Sequence, residues 1–224
     1  MNKRQKIMKK QSGTAGNERR RFTKISKKSI ACLLSVVLLM GSVFSGCTNL
    51  LYTKPYKPGS VKDNTYENNF FHVRFQCPEG YTMTFSEVPQ DEANDIIKGN
   101  LGETGAFQEL QVQSTSSATS MIVTIVRGKV DVASSSGRKQ IEKVAQSMVA
   151  SAPGVDYDLG EPYQDTLGEE SFDALDFEIN VQGYTARSNF YVKYQNGYSM
   201  FIMFYGFEDY FGELFEGFVP YEES

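Results

Sequence analysis

Between Leu175 and Val181 the chain alternates without a break. Leu175, Phe177, Ile179 and Val181 are apolar, and Asp176, Glu178 and Asn180 between them are polar. A period of two places the apolar set on one face of an extended strand and the polar set on the other. One dry and one wet face is the habit of antiparallel sheets, because parallel sheets are covered on both sides. The same period runs through Phe71, Val73 and Phe75 against His72, Arg74 and Gln76, and again through Phe190, Val192 and Tyr194. Tyr198 to Tyr205 is apolar on both faces and reads as a central, covered strand. Gln195-Asn196-Gly197 just before it is a hairpin turn, since Asn-Gly tolerates positive φ.

The remaining segments fit the same plan. Pro78-Glu79-Gly80 is a turn, and Tyr81 to Phe85 resumes extended chain. Phe107 to Gln113 and Ser120 to Arg127 form a hairpin around the small polar loop Ser114–Thr119. Asp91 to Lys98 reads as a short helix with Ala93, Ile96 and Ile97 inward. A longer helix is expected over about Gly137 to Ala150, capped by Ser134–Ser136, with Ile141, Val144, Ala145 and Met148 on one face. Glu208 to Glu216 reads as a terminal helix with Tyr210, Phe211, Leu214 and Phe215 apolar. The order is strand pair, helix, strand pair, long helix, three-strand meander, helix. It predicts an α+β fold, a mostly antiparallel sheet packed by helices.

The N-terminal part is a different object. Residues 1–28 hold eleven Lys and Arg against one acid, and Ser29 to Gly46 carries no charge. Basic residues followed by a short apolar run and small residues are the pattern of an export signal rather than of a membrane span. The run closes on Phe44-Ser45-Gly46-Cys47, which resembles a lipobox, although leucine is usual where Phe44 stands. That resemblance to bacterial lipoprotein precursors, of Gram-positive type, implies removal of residues 1–46. It also implies a diacylglyceryl group on Cys47 and a domain held at the extracytoplasmic face of the cell membrane. Two acyl chains anchor stably where one holds only marginally. Arg19-Arg20-Arg21-Phe22-Thr23-Lys24 also fits a loose twin-arginine pattern, which leaves the export route open. Residues 47–64, with Lys54-Pro55-Tyr56-Lys57-Pro58-Gly59-Ser60, read as the lipidated cysteine and a flexible tether spanning on the order of 20 Å. Residues 65–224 read as one domain.

Charge narrows the partners. The whole chain has 23 basic and 27 acidic residues, but only 12 of the basic ones lie beyond Cys47, against 26 acids. The exported part therefore carries about −14, which argues against nucleic acid as a partner. Cys77 is the only cysteine left for the domain, so no disulfide is expected within it. Its place in the Phe71, Val73, Phe75 alternation points it into the core. His72 is the only histidine, so neither a zinc cluster nor a histidine-based triad is available. Asp156, Asp158, Glu161 and Asp165 begin like a calcium loop, but Leu167 stands where the closing glutamate belongs. Glu169, Glu170, Asp173, Asp176 and Glu178 read as the solvated face of the meander. No catalytic residue, metal or cofactor is assigned, and the chain reads as a non-enzyme.

Phe70-Phe71-His72-Val73-Arg74-Phe75-Gln76-Cys77-Pro78-Glu79-Gly80-Tyr81 resembles the opening of the Mog1/PsbP-like fold. The middle helix and the closing Phe218-Val219-Pro220-Tyr221 are similar to small lipoproteins of that group, over about Tyr66 to Tyr221. The resemblance implies a Mog1/PsbP-like sandwich and a non-catalytic accessory or protein-interaction role with an unidentified protein partner. It carries over no ligand and no functional residue. The alternative is a small-ligand or glycan binder, for which Tyr52, Tyr56, Tyr163 and Tyr184, all expected in loops, are the candidate rings.

Overall fold

The computed structural model describes residues 54–99, 105–131, 134, 139, 155–181, 184–206 and 211–222. Its strands are β1 (Ser60–Lys62), β2 (Thr65–Asn68), β3 (Val73–Gln76), β4 (Tyr81–Phe85), β5 (Ala106–Ser114) and β6 (Ser120–Arg127). They continue as β7 (Val155–Leu159), β8 (Tyr163–Leu167), β9 (Glu170–Val181), β10 (Tyr184–Gln195), β11 (Tyr198–Gly206) and β12 (Phe218–Val219). Helix α1 spans Gln90–Lys98 and α2 spans Gly212–Glu216.

The strands form two sheets in which every pairing is antiparallel. The larger has eight strands in the order β4-β5-β6-β11-β10-β9-β7, with β8 also paired to β9. The smaller runs β1-β2-β3-β12. This is the expected α+β class. It departs from the expectation in its pairing: β3 and β4 do not pair, and the turn Pro78–Gly80 carries the chain from the small sheet to the large one. The strands β1, β2, β7, β8 and β12 are additions to the expected order.

The core lies between the sheets. Tyr66, Phe71, Val73 and Phe75 from the small-sheet side meet Val112, Val123, Met200 and Phe204 of the large sheet, and Ala93, Ile97 and Leu214 of the helices close the ends. β11 lies between β6 and β10 and is buried on both faces, as its apolar run requires. On the opposite face of the large sheet Phe177 and Phe190 stack with centroids 5.2 Å apart. The β10–β11 hairpin turns at Asn196 and Gly197, with φ of 48° and 89°. Cys77 is buried, and burial pushes its thiol up from its ordinary pKa. The expected helix over 137–150 falls outside the described residues except for Lys139, and the expected start of the terminal helix, Glu208 to Tyr210, does so entirely.

The segment expected as a tether is corrected for residues 54–64. Asp63 and Asn64 both have positive φ (49° and 61°) and make a two-residue turn that joins β1 to β2. Upstream of it Tyr56 is 0% exposed and belongs to the core. A solvated linker has no reason to bury an aromatic ring, so the folded unit reaches back at least to Tyr56. Residues 47–53 lie outside the described residues.

Candidate functional site

Among the described residues the most heavily built polar centre surrounds Glu109, a carboxylate that is 0% exposed. β5 carries an extra residue between Gln108, opposite Thr124, and Leu110, opposite Val123. Glu109 is that residue, and the bulge lets Phe107, Glu109, Leu110 and Val112 all be buried. Four donors converge on its carboxylate. Tyr56 Oη donates to Oε2 at 2.6 Å, Tyr66 Oη at 2.8 Å and Asn68 Nδ2 at 3.0 Å, while the Gly59 backbone N–H donates to Oε1 at 2.5 Å. Asn68 Nδ2 also reaches Tyr56 Oη at 2.7 Å.

A charge in a dry interior is tolerated only when it is fully hydrogen-bonded. Burial pushes the Glu109 carboxyl above its ordinary pKa, and the bonds from Tyr56, Gly59, Tyr66 and Asn68 pull it back. Burial first, and then the charge of Glu109, hold the phenols of Tyr56 and Tyr66 well above theirs. With no exposure and its oxygens occupied, Glu109 serves as an acceptor that ties β2, β5 and the N-terminal segment together.

A second residue completes the grip on that segment. Asn94 of α1 accepts from the Tyr56 backbone N–H at 2.9 Å and donates to the Tyr56 carbonyl at 2.8 Å. The Tyr56 ring lies against Phe70, Phe71 and Tyr198, with centroids 5.2, 6.1 and 5.8 Å away.

The other candidate residues disperse. His72 sits in a turn before β3 with φ of 57°, stacked on Tyr221 at 5.3 Å, rather than on a strand face. Asp156 and Asp158 lie in β7 and Asp165 in β8, so the stretch read against a calcium loop is a pair of strands. Among the described residues no group of three or more potential metal ligands comes together. The acids of the meander are engaged across strands: Arg187 Nε lies 3.0 Å from Glu178, and Asp176 accepts from Tyr163 Oη at 2.6 Å and from Asn189 Nδ2 at 2.5 Å. Glu170 pairs with Lys193, whose ammonium also donates to the Phe71 carbonyl at 2.7 Å. Tyr191 donates to Asp165 at 3.1 Å. Burial pushes the phenols of Tyr163 and Tyr191 up, helped next by Asp176 at Tyr163 and by the Tyr163 phenol and then Asp165 at Tyr191.

The rings named for glycan binding make no common platform. Tyr56 is buried in the core, Tyr163 and Tyr184 lie on strands, and Tyr52 lies outside the described residues. Cys47 also lies outside them, and no helix among the described residues is long and apolar enough to cross a membrane. Sequence reasoning missed the Glu109 centre altogether. A signal for it existed: Phe107 and the pair Leu110, Val112 are out of phase for a regular strand, which marks a bulge at Gln108–Glu109.

Among solved structures, the chain is similar to the cyanobacterial PsbP (CyanoP) of Synechocystis sp. PCC 6803. The two are 10% identical, and the match covers 80% of this chain and 99% of that one with a TM-score of 0.43. It is also similar to LpqN of Mycobacterium tuberculosis, a protein involved in cell envelope biogenesis. That match is 13% identical over 67% of this chain and 83% of the other, with a TM-score of 0.36. No protein-family model matches the chain, and no curated protein matches it.

Proposed function

We propose that the chain is an extracytoplasmic lipoprotein whose Mog1/PsbP-like domain serves as a non-catalytic accessory module, docking on another protein at the membrane surface. Cys47 is the lipidated residue, residues 1–46 are the removed signal, and the anchor holds the module at the cell membrane. The observation that carries the reading is the sequence of the leader: a strongly basic block, an uncharged run from Ser29 to Gly46, then Phe44-Ser45-Gly46-Cys47. An acidic domain follows directly, a composition suited to a soluble surface beside a membrane rather than to nucleic acid. Supporting the accessory role, the best-built polar centre is sealed from solvent and spends its charge on holding the fold.

Cross-linking on intact cells, with purification through a tag at Ser224 and mass spectrometry, tests the docking role. One recurrent protein partner is the expected result. Recovery of lipid and self cross-links alone would overturn it.

A further inference from the structure

Residues 54–59 are held as a bound peptide is held. Tyr56 is a single buried peg between exposed neighbours: Lys54, Pro55 and Lys57 all face solvent. Its backbone N–H and C=O are both read by one side-chain amide, that of Asn94, which takes the place of a neighbouring strand. At the bottom of the pocket Glu109 and Asn68 read its hydroxyl. Three residues on, Gly59 is selected by closeness. A Cβ there would lie 2.6 Å from the Glu67 carbonyl and 2.8 Å from the Tyr66 ring. The Gly59 N–H donates to the other carboxylate oxygen of Glu109, Oε1. Lys57 and Pro58 between these two anchors make no hydrogen bond that fixes their identity.

We propose that the groove between α1, β2 and β5 is a binding site for an extended peptide bearing tyrosine and, three residues later, glycine. In this chain it is filled in cis by the chain's own arm, residues 54–62. The arm's apolar grip is one ring, and its only strand, β1, is three exposed residues at the edge of the small sheet. Its release takes the Tyr56 ring out of the core but removes no strand of the large sheet, and the proposal requires that it opens as a local unit rather than with the whole fold. In cis the arm acts at an effective concentration on the order of millimolar, which keeps free peptide out.

The consequence for anchoring rests on the lipoprotein reading. With the arm docked, Tyr56 is nine positions along the chain from Cys47, a reach of at most about 30 Å. With the arm displaced, Thr65 is eighteen positions from Cys47, and the maximum reach doubles to about 60 Å. A competing peptide would thus let the domain stand farther from the membrane.

The test uses the full chain in detergent and a fluorescent synthetic peptide of residues 54–62, and it does not depend on lipidation. The Tyr56→Ala chain should bind the peptide saturably, and a peptide with phenylalanine for tyrosine should bind at least about tenfold more weakly because Glu109 and Asn68 lose a partner. The wild-type chain should bind it at least about tenfold more weakly than the variant does. Absence of binding to natively folded Tyr56→Ala up to about 1 mM peptide, or equal binding to both chains, overturns the proposal. Hydrogen exchange on the wild-type chain decides the matter if that variant does not fold. The amides of Tyr56 and Gly59 should exchange while those of β6 and β11 stay protected, and exchange of all of them only through global unfolding overturns it.

Discussion

Tyr56 should be as important to stability as a core residue, although it lies in a Lys- and Pro-rich segment that looks like a linker. Tyr56→Phe keeps the ring but removes the hydroxyl that donates to Glu109 at 2.6 Å and accepts from Asn68 at 2.7 Å. Glu109 keeps three donors and Asn68 keeps Glu109, so one hydrogen bond to a charged group is lost, worth about 1.5–3 kcal/mol. Tyr56→Ala also removes a fully buried ring, for a total of about 3–5 kcal/mol. In a domain of this size each kcal/mol lowers Tm by roughly 2–4 °C. Thermal unfolding followed by circular dichroism at neutral pH should therefore place Phe roughly 5 °C below wild type and Ala roughly 10 °C or more below it. If the arm opens locally, the Ala deficit is capped at the free energy of that opening, and further arm substitutions add nothing to it. A change at a solvated linker costs less than about 0.5 kcal/mol. Both variants melting within about 1 °C of wild type would refute the docking of Tyr56 and the Glu109 centre with it.

Glu109→Gln should destabilise the domain by about 1–3 kcal/mol, because the new amide points donors at a site built from donors. The folded-state pKa of Glu109 is raised, so its contribution to stability is complete below the unfolded value near 4.5 and is lost as pH rises through the folded value. The deficit of the Gln variant is therefore largest in acid and shrinks toward neutral pH, which denaturant melts across that range would reveal. The phenols of Tyr56, Tyr66, Tyr81, Tyr163, Tyr191 and Tyr205 are all raised, six of the chain's thirteen tyrosines. Their contribution is complete below pH about 10 and falls as pH rises through their folded values. An ultraviolet titration should accordingly show these six ionising above the usual range, the buried Tyr56, Tyr66 and Tyr191 only as the domain unfolds, whereas smooth ionisation of all thirteen near pH 10 would contradict the burial of those three.

What was legible in the sequence is what depends on neighbours along the chain. The alternation around Phe177, the Asn196-Gly197 turn, the doubly apolar β11 and the inward Cys77 all rest on local period or turn chemistry, and all are present in the fold. What depends on distant partners was not. β1 is only Ser60-Val61-Lys62, too short to show a period, and its Asp63-Asn64 turn is hidden among linker-like residues. β3 and β4 look like a hairpin across Pro78–Gly80, yet β3 finds β2 and β12 while β4 finds β5. Phe218–Val219 is a strand only because Phe75 and Arg74 lie beside it. The Glu109 centre draws residues from four places in the chain, Tyr56 with Gly59, Tyr66 with Asn68, Asn94 and Glu109 itself, and no local pattern joins them.

The proposed anchoring through Cys47 is tested most directly by the intact mass of protein extracted from the membrane fraction. The account predicts a chain that begins at Cys47, lacks residues 1–46, and carries the added mass of a diacylglyceryl group on that cysteine. An unmodified Cys47 in a chain that retains its leader, or a full yield of unlipidated protein in the soluble fraction, would contradict it.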